Sequence, residues 1–311
     1  MLVSAKTLLD HAYRYQYAVG AFNINNLEIL QAVLSAALET KSPVIIQTSE
    51  GAIHYAGIDY LKALCYTAAK RPIKMALHLD HGKDLKLIKQ CIEWGWTSVM
   101  FDGSTLPYKE NISKTKQVVR WARAKGVSVE AELGAIKGIE DLVDVKEREA
   151  FFTDPAQALD FIKKTEIDSL AISIGTSHGP FKFSNEPTLD LERLKEIKRL
   201  TKKPLVLHGA SGIPEHLLEM IHDHCEALDD CDRVKNARGV SDMLIKKAIK
   251  LGINKINIDS DLRLAFLAGV RKTLLENTHA YDPRILMKEA KELITKVVVQ
   301  KMKLFRGTRS L

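Results

Sequence analysis

One alternation, repeated eight times, constrains this chain more than any other feature. A short apolar, β-rich run ends in polar residues and is followed by an amphipathic stretch with helical spacing. The runs are Tyr17–Ile24, Pro43–Ser49, Ile73–Asp80, Ser98–Ser104, Val127–Leu133, Ser169–Gly175, Pro204–Ala210 and Ile253–Ser260. Strands separated by helices imply right-handed βαβ units and a parallel sheet. Eight such units are the number that closes an α/β barrel of the (β/α)8, or TIM-barrel, class. That fold usually takes about 250 residues. The surplus in this 311-residue chain is assigned to a leading helix before Tyr17 and a C-terminal helical tail at about 284–305, with the barrel at about 17–280. Without a linker-like segment, residues 1–311 are expected to form a single domain. The helix after Asp190 has apolar residues at 191, 194, 197 and 200, and Asp190 is placed to cap its N-terminus. Residues 134–153 and 215–240 read as long loops.

Active sites of this fold form at the C-terminal ends of the strands, and that is where the polar residues fall. The third run ends His78-Leu-Asp80-His81 and the fourth Asp102-Gly-Ser104. The fifth carries Glu130 and Glu132. The sixth leads into Gly175-Thr-Ser-His178-Gly179, the seventh ends His208-Gly-Ala-Ser211-Gly212, and the eighth ends Asn257-Ile-Asp259-Ser260. Ionisable groups at the ends of buried strands are costly without partners, so this recurrence converges them on one site. Three imidazoles from separate strands, His81, His178 and His208, can serve as zinc ligands with an open fourth position, or as hydrogen-bonded core or substrate contacts. The glycines beside His178 and His208 provide turns whose N–H groups can cradle a phosphate.

Composition narrows the partners. The formal charge of +7 is spread along helical stretches, with no basic tail or block, which argues against nucleic acid and fits a phosphorylated small substrate. No apolar run approaches the roughly 20 residues that cross a bilayer. The N-terminus lacks a basic segment followed by an apolar one, so no secretory signal is expected. Four cysteines are too few for a disulfide scaffold. Reduced thiols in a cytoplasmic protein are the expectation.

Taken together, HLDH (78–81), SVMFDGS (98–104), VEAELG (129–134), GTSHG (175–179), LHGASG (207–212) and NKINIDSDLR (254–263) resemble class II, metal-dependent fructose-1,6-bisphosphate aldolase, with GAFNINN (20–26) and QTSEG (47–51) in agreement. The resemblance implies a zinc ion on His81, His178 and His208, with Asp102 and Glu132 at a second divalent or alternate zinc position. It implies Asp80 as the acid/base on the C4 oxygen and Glu140 as the group that moves the C3 proton. Gly179, Gly209, Ala210, Ser211, Asn257, Ile258 and Ser260 would bind the dihydroxyacetone phosphate end, helped by Lys182. Ser49 and Asp259 would contact the sugar. Arg263 would reach the C6 phosphate across a subunit interface, in a homodimer or homotetramer. A monovalent cation near the phosphate is also implied. Asp259 fits the fructose form of the motif rather than the related tagatose-bisphosphate form.

Adjacent strand residues face opposite sides, so the strand must end or bend at His81 if Asp80 and His81 are to share one site. His78, of the same parity as Asp80, is expected to orient that carboxylate or pack in the barrel. Lys255 lies about 6–7 Å deeper than Asn257 by strand rise and reads as a buried ion-pair partner, not as the amine of a Schiff-base aldolase. A zinc hydrolase of the same fold is a more distant alternative. His222, His224, Cys225 and Cys231 read as part of a surface helix and loop rather than a second zinc site.

Overall fold

The computed structural model describes residues 1–134, 136–140, 143–145, 152–178, 188–212, 219 and 239–306, with main chain alone at 137–140, 143–145 and 177–178. His222, His224, Cys225, Cys231, Gly179 and Lys182 therefore lie outside the described residues.

Eight parallel strands close a barrel. They are β1 (Val19–Asn23), β2 (Val44–Ser49), β3 (Met75–Gly82), β4 (Ser98–Phe101), β5 (Ser128–Leu133), β8 (Ser169–Ile172), β10 (Leu205–Leu207) and β11 (Ile253–Ile258), ordered β1-β11-β10-β8-β5-β4-β3-β2 around the ring. Each falls inside one of the eight apolar runs or overlaps nearly all of it. Several of the described helices between them start at residues whose side chains cap them. Asp154 accepts from the Gln157 N–H ahead of α7 (Pro155–Thr165), and Asp190 accepts from the Arg193 N–H ahead of α8 (Leu191–Thr201). Cys65 lies in α4 (Ile58–Ala68) and Cys91 in α5 (Leu85–Trp94); both are buried free thiols.

The two ends of the barrel differ in chemistry. The leading helix α1 (Ala5–Tyr15) is capped by Ser4, and it lays Ala5, Leu8, Leu9 and Ala12 against Tyr17, Val19, Ala21, Ile45 and Ala76. This apolar plug closes the N-terminal end and removes that surface from water. Above it, Met100, Ala171 and Val206 form a small apolar layer. Higher still the interior turns polar, with Gln47, His78, Asp80, Glu130, Glu132, His208, Lys255 and Asn257 all buried. The C-terminal tail is α11 (Pro283–Arg306), packed against α2 (Leu27–Thr40) and against α10 (Ser260–Glu276), which follows the eighth strand.

The long loop expected from Gly134 to Thr153 is partly ordered sheet. β6 (Lys137–Glu140) pairs antiparallel with β7 (Val143–Val145), and also parallel with β9 (Ser177–His178), Gly138 lying opposite His178. β6 carries glycine and two charged residues, and β7 is only three residues long, so neither offers the run of four or more alternating residues that marks a half-buried strand. Backbone pairing of β6 with β7 on one side and β9 on the other supplies what the side-chain pattern lacks. Among the described residues, no helix is long and apolar enough to cross a membrane.

Candidate active site

The expected bend occurs at His81. Its φ is +46°, a left-handed conformation uncommon for a residue with a side chain. The β3–β4 register shifts at the same place, between Leu79 and Gly82. Such an irregularity at a strand end re-aims a side chain. Here it turns His81 to the side on which Asp80 points, and Asp80, His81 and His208 place donor atoms within 4.8 Å of one another.

The two imidazoles are held from behind by carboxylates. His81 Nδ1 donates to Asp102 Oδ2 at 2.9 Å, and His208 Nε2 donates to Glu130 Oε1 at 3.0 Å. Each bond fixes a tautomer and orients a ring, as carboxylates behind metal-binding histidines do. The remaining nitrogens, His81 Nε2 and His208 Nδ1, then face each other 2.8 Å apart. Asp102 is fully engaged, since its other oxygen accepts from the Ser104 N–H at 3.1 Å and the Ser104 hydroxyl at 2.7 Å. Glu132 Oε2 is buried without a hydrogen-bond partner among the described residues, 4.0 Å from His81 Nδ1. His81, Asp102 and Glu132 thus form a second group whose donor atoms lie within 4.8 Å of one another, and nitrogen and oxygen donors of this kind suit a divalent cation such as zinc. His178 stands on β9, whose main chain alone is described.

Electrostatics follow from this crowding. Burial opposes protonation of His81, but Asp80 and the hydrogen bond to Asp102 outweigh it and raise its pKa well above the ordinary value. Burial and the neighbouring Asp102 push the Glu132 carboxyl well above its usual range. Burial and His81 lower the pKa of His208. Burial alone would raise the Asp102 pKa, yet the His81 and Ser104 bonds hold it below the usual carboxylate range. These opposed shifts among neighbours mark a site whose protons and charges are shared.

Asp80 is gripped on both oxygens. Asn23 Nδ2 donates to Oδ2 at 2.9 Å and Asn257 Nδ2 donates to Oδ1 at 3.0 Å. Gln47 Nε2 donates to Asn23 Oδ1 at 2.8 Å, which fixes Asn23 in turn. Beneath this layer Lys255 Nζ donates to Glu130 Oε2 at 2.8 Å and to His78 Nε2 at 3.2 Å, so Lys255 is the buried ion-pair partner its position suggested. His78 Nδ1 bonds Ser98 Oγ at 2.8 Å. Of its two expected roles His78 takes the barrel-packing one, bonding Ser98 and Lys255 rather than Asp80.

The remaining expected residues divide by what their side chains do. Gly209 has φ +59°, a conformation that favours glycine, and Ser211 beside it is buried. Ser260 opens α10 and is also buried. The Ala210 and Ile258 side chains belong to the apolar core around the barrel, so any ligand contact from them runs through the main chain. Ser49 N-caps α3 (Glu50–Ala56), its hydroxyl accepting from the Ala52 N–H at 3.1 Å. Arg263 Nε folds back onto Asp259 Oδ1 of the same chain at 2.9 Å. Glu140 ends β6, two residues beyond the one opposite His178. Asn23, Gln47, Glu130 and Lys255 had no assigned site role in the sequence. The available signal was polar residues inside buried strands at the parity of Asp80 and Asn257.

Comparison with known proteins agrees with this geometry. Residues 3–309 match the family described as fructose-bisphosphate aldolase class-II. The chain is 45% identical over 313 residues to a fructose-bisphosphate aldolase of Helicobacter pylori, covering all of each chain. It is 44% identical over 305 residues to one of Thermus caldophilus, covering 98% of each. Among solved structures it is similar to the YdjI aldolase from Escherichia coli K12, with TM-score 0.78, 32% identity, and 98% of this chain and 97% of that one covered. The barrel, its polar rim and these relatives together show that this chain belongs to the class-II fructose-bisphosphate aldolase family of carbon–carbon lyases.

Proposed function

We propose that the chain catalyses reversible aldol cleavage of fructose 1,6-bisphosphate to dihydroxyacetone phosphate and glyceraldehyde 3-phosphate, the glycolytic direction, with zinc held by His81, His178 and His208. The observation that carries this reading is the pair of carboxylate-backed imidazoles, whose other nitrogens converge beside the doubly anchored Asp80. When bound, the metal supplies Lewis-acid stabilisation of negative charge developing on the substrate oxygens. Asp80 accepts the C4 hydroxyl proton, and the freed electron pair forms the aldehyde carbonyl as the C3–C4 bond breaks. The electrons of that bond pass to C3 and its neighbouring carbonyl. Glu140 returns a proton to C3, releasing dihydroxyacetone phosphate. Glu132, with Asp102 alongside it, forms a second divalent position. Gly179, Gly209, Ala210, Ser211, Asn257, Ile258 and Ser260, with Lys182 and a monovalent cation, bind the phosphate of the dihydroxyacetone end. Ser49 and Asp259 contact the sugar.

Arg263 reaches the second phosphate in a neighbouring subunit of a homodimer or homotetramer. The apolar Leu267, Leu274 and Leu275 left exposed on the same helix support such an assembly. The enzyme is cytoplasmic, with no nucleic-acid or membrane partner.

The substrate assignment is tested by comparing fructose and tagatose 1,6-bisphosphates, which differ in configuration at C4. Asp259 at the fructose-type position predicts a kcat/KM ratio of about 10²-fold or more in favour of fructose. Equal or reversed turnover would assign the chain to tagatose bisphosphate. Release of inorganic phosphate without triose phosphates would favour the hydrolase alternative.

A further inference from the structure

The C-terminal helix α11 is docked by an apolar face that includes Ala290, Leu293, Ile294, Val297, Val298, Met302 and Phe305, all buried. In the middle of this face stands Lys301, itself 5% exposed. Docking does not call for a lysine there, and burying an unpaired ammonium is costly. Its Nζ donates to the Gly212 carbonyl at 2.7 Å and lies 3.2 Å from Asp261 Oδ2. Asp261 is fully buried, and neither of its carboxylate oxygens has a hydrogen-bond partner among the described residues, so the Lys301 charge is what its carboxylate faces. Asp261 also sits in the first turn of α10, where the helix N-terminus favours negative charge.

These two partners follow different barrel strands. Gly212 closes the turn after the seventh barrel strand, and Asp261 immediately follows Ser260 after the eighth. The Gly212 turn is also fixed from the other side. The Val240 N–H donates to the Ser211 carbonyl at 3.3 Å, and a Cβ on Gly239 would sit 2.2 Å from that carbonyl oxygen. Loops after the seventh and eighth strands are the common phosphate site of this fold.

We propose that Lys301 is a positioning residue for the substrate phosphate: one ammonium, buried in the C-terminal helix, ties the two phosphate-cradling loops into a fixed relative geometry through Gly212 and Asp261. The inference rests on the reading of Gly209, Ser211 and Ser260 as that cradle. It gives the C-terminal helix a role in substrate binding without any contact to substrate.

The test uses the full-length, metal-loaded enzyme. Paired replacement, Lys301→Met with Asp261→Asn, removes the tie without leaving a buried charge unpaired. The expected result is a rise of about ten- to hundredfold in KM for fructose 1,6-bisphosphate and in the inhibition constant of inorganic phosphate, with kcat within about twofold of the parent. Unchanged KM and phosphate inhibition in the folded variant would overturn the proposal. So would a fall in kcat at constant KM. If the paired variant does not fold, Lys301→Gln, which keeps a neutral donor to Gly212, must show the same KM-selective shift at smaller size. Ser211→Ala separates the two readings. If it raises both constants and the Lys301 variants do not, only the positioning role fails. If neither Ser211→Ala nor Ser260→Ala alters phosphate inhibition, the cradle reading fails and the Lys301 proposal falls with it.

Discussion

Replacing Asp80 by Asn is expected to lower kcat for aldol cleavage by about 10²- to 10⁴-fold, the range that a positioned general base contributes, while leaving the bound metal stoichiometry unchanged. The substitution keeps the shape of a side chain whose two oxygens are held by Asn23 and Asn257. It removes the capacity to take the C4 proton. The metal readout matters because Asp80 lies close enough to His81 and His208 to be a ligand itself. Loss of metal in step with activity would make Asp80 a ligand. Retention of metal with lost turnover assigns it to proton transfer. Replacing Asn23 or Gln47 should act on the same step indirectly, by freeing the carboxylate to rotate.

The second large effect is on stability. Lys255→Met leaves Glu130 buried and charged with its strongest partner gone, and breaking a buried pair from one side costs about 3–5 kcal/mol. For a chain of this size that is a fall in Tm on the order of 10 °C. Burial by itself disfavours ionised Glu130, but Lys255 and the His208 hydrogen bond outweigh it and hold the carboxyl below its usual range. The sign follows for pH. The stability that Glu130 contributes is present above the unfolded pKa of about 4.3, and it is lost as pH falls through the depressed folded value. His78 adds no charge, because burial and the adjacent Lys255 lower its pKa to about 3. Combining Lys255→Met with Glu130→Gln should recover much of the lost stability in a calorimetric scan. Metal affinity should remain about 10- to 100-fold weaker in the double variant, because His208 has lost the carboxylate that orients it. A double variant no more stable than Lys255→Met would show that the ion pair is not the source of the loss.

Much of this was legible in the sequence, and the rest was hidden for physical reasons. Short apolar, β-rich runs alternating with stretches of helical spacing identified all eight strands, because parallel barrel strands are buried on both faces. The concentration of His, Asp and Asn at strand ends located the site, since polar groups at buried ends need a shared purpose. The pairing within it was not legible. Parity says that Asn23, Gln47, Glu130 and Lys255 face inward, but it does not say which meets which across the ring. The left-handed φ of His81 was required by the argument but has no local signal, since nothing in Leu-Asp-His-Gly encodes a bend. The β6–β7 pair was read as loop because its order comes from pairing with β9, a partner far along the chain. The resemblance places Asp102 at a second metal; the carboxylate accepts from His81 Nδ1 and also groups with His81 and Glu132, their donor atoms within 4.8 Å of one another.

The proposed catalysis runs through a metal ion held by histidines from three strand ends. It is tested most directly by measuring metal content and fructose 1,6-bisphosphate cleavage on one preparation, before chelation, after it, and after adding zinc back. The expected result is at least one tightly held zinc per active chain, loss of cleavage in proportion to metal removed, and recovery with zinc. Full activity in the metal-free protein, with a covalent adduct trapped by borohydride in the presence of substrate, would contradict it.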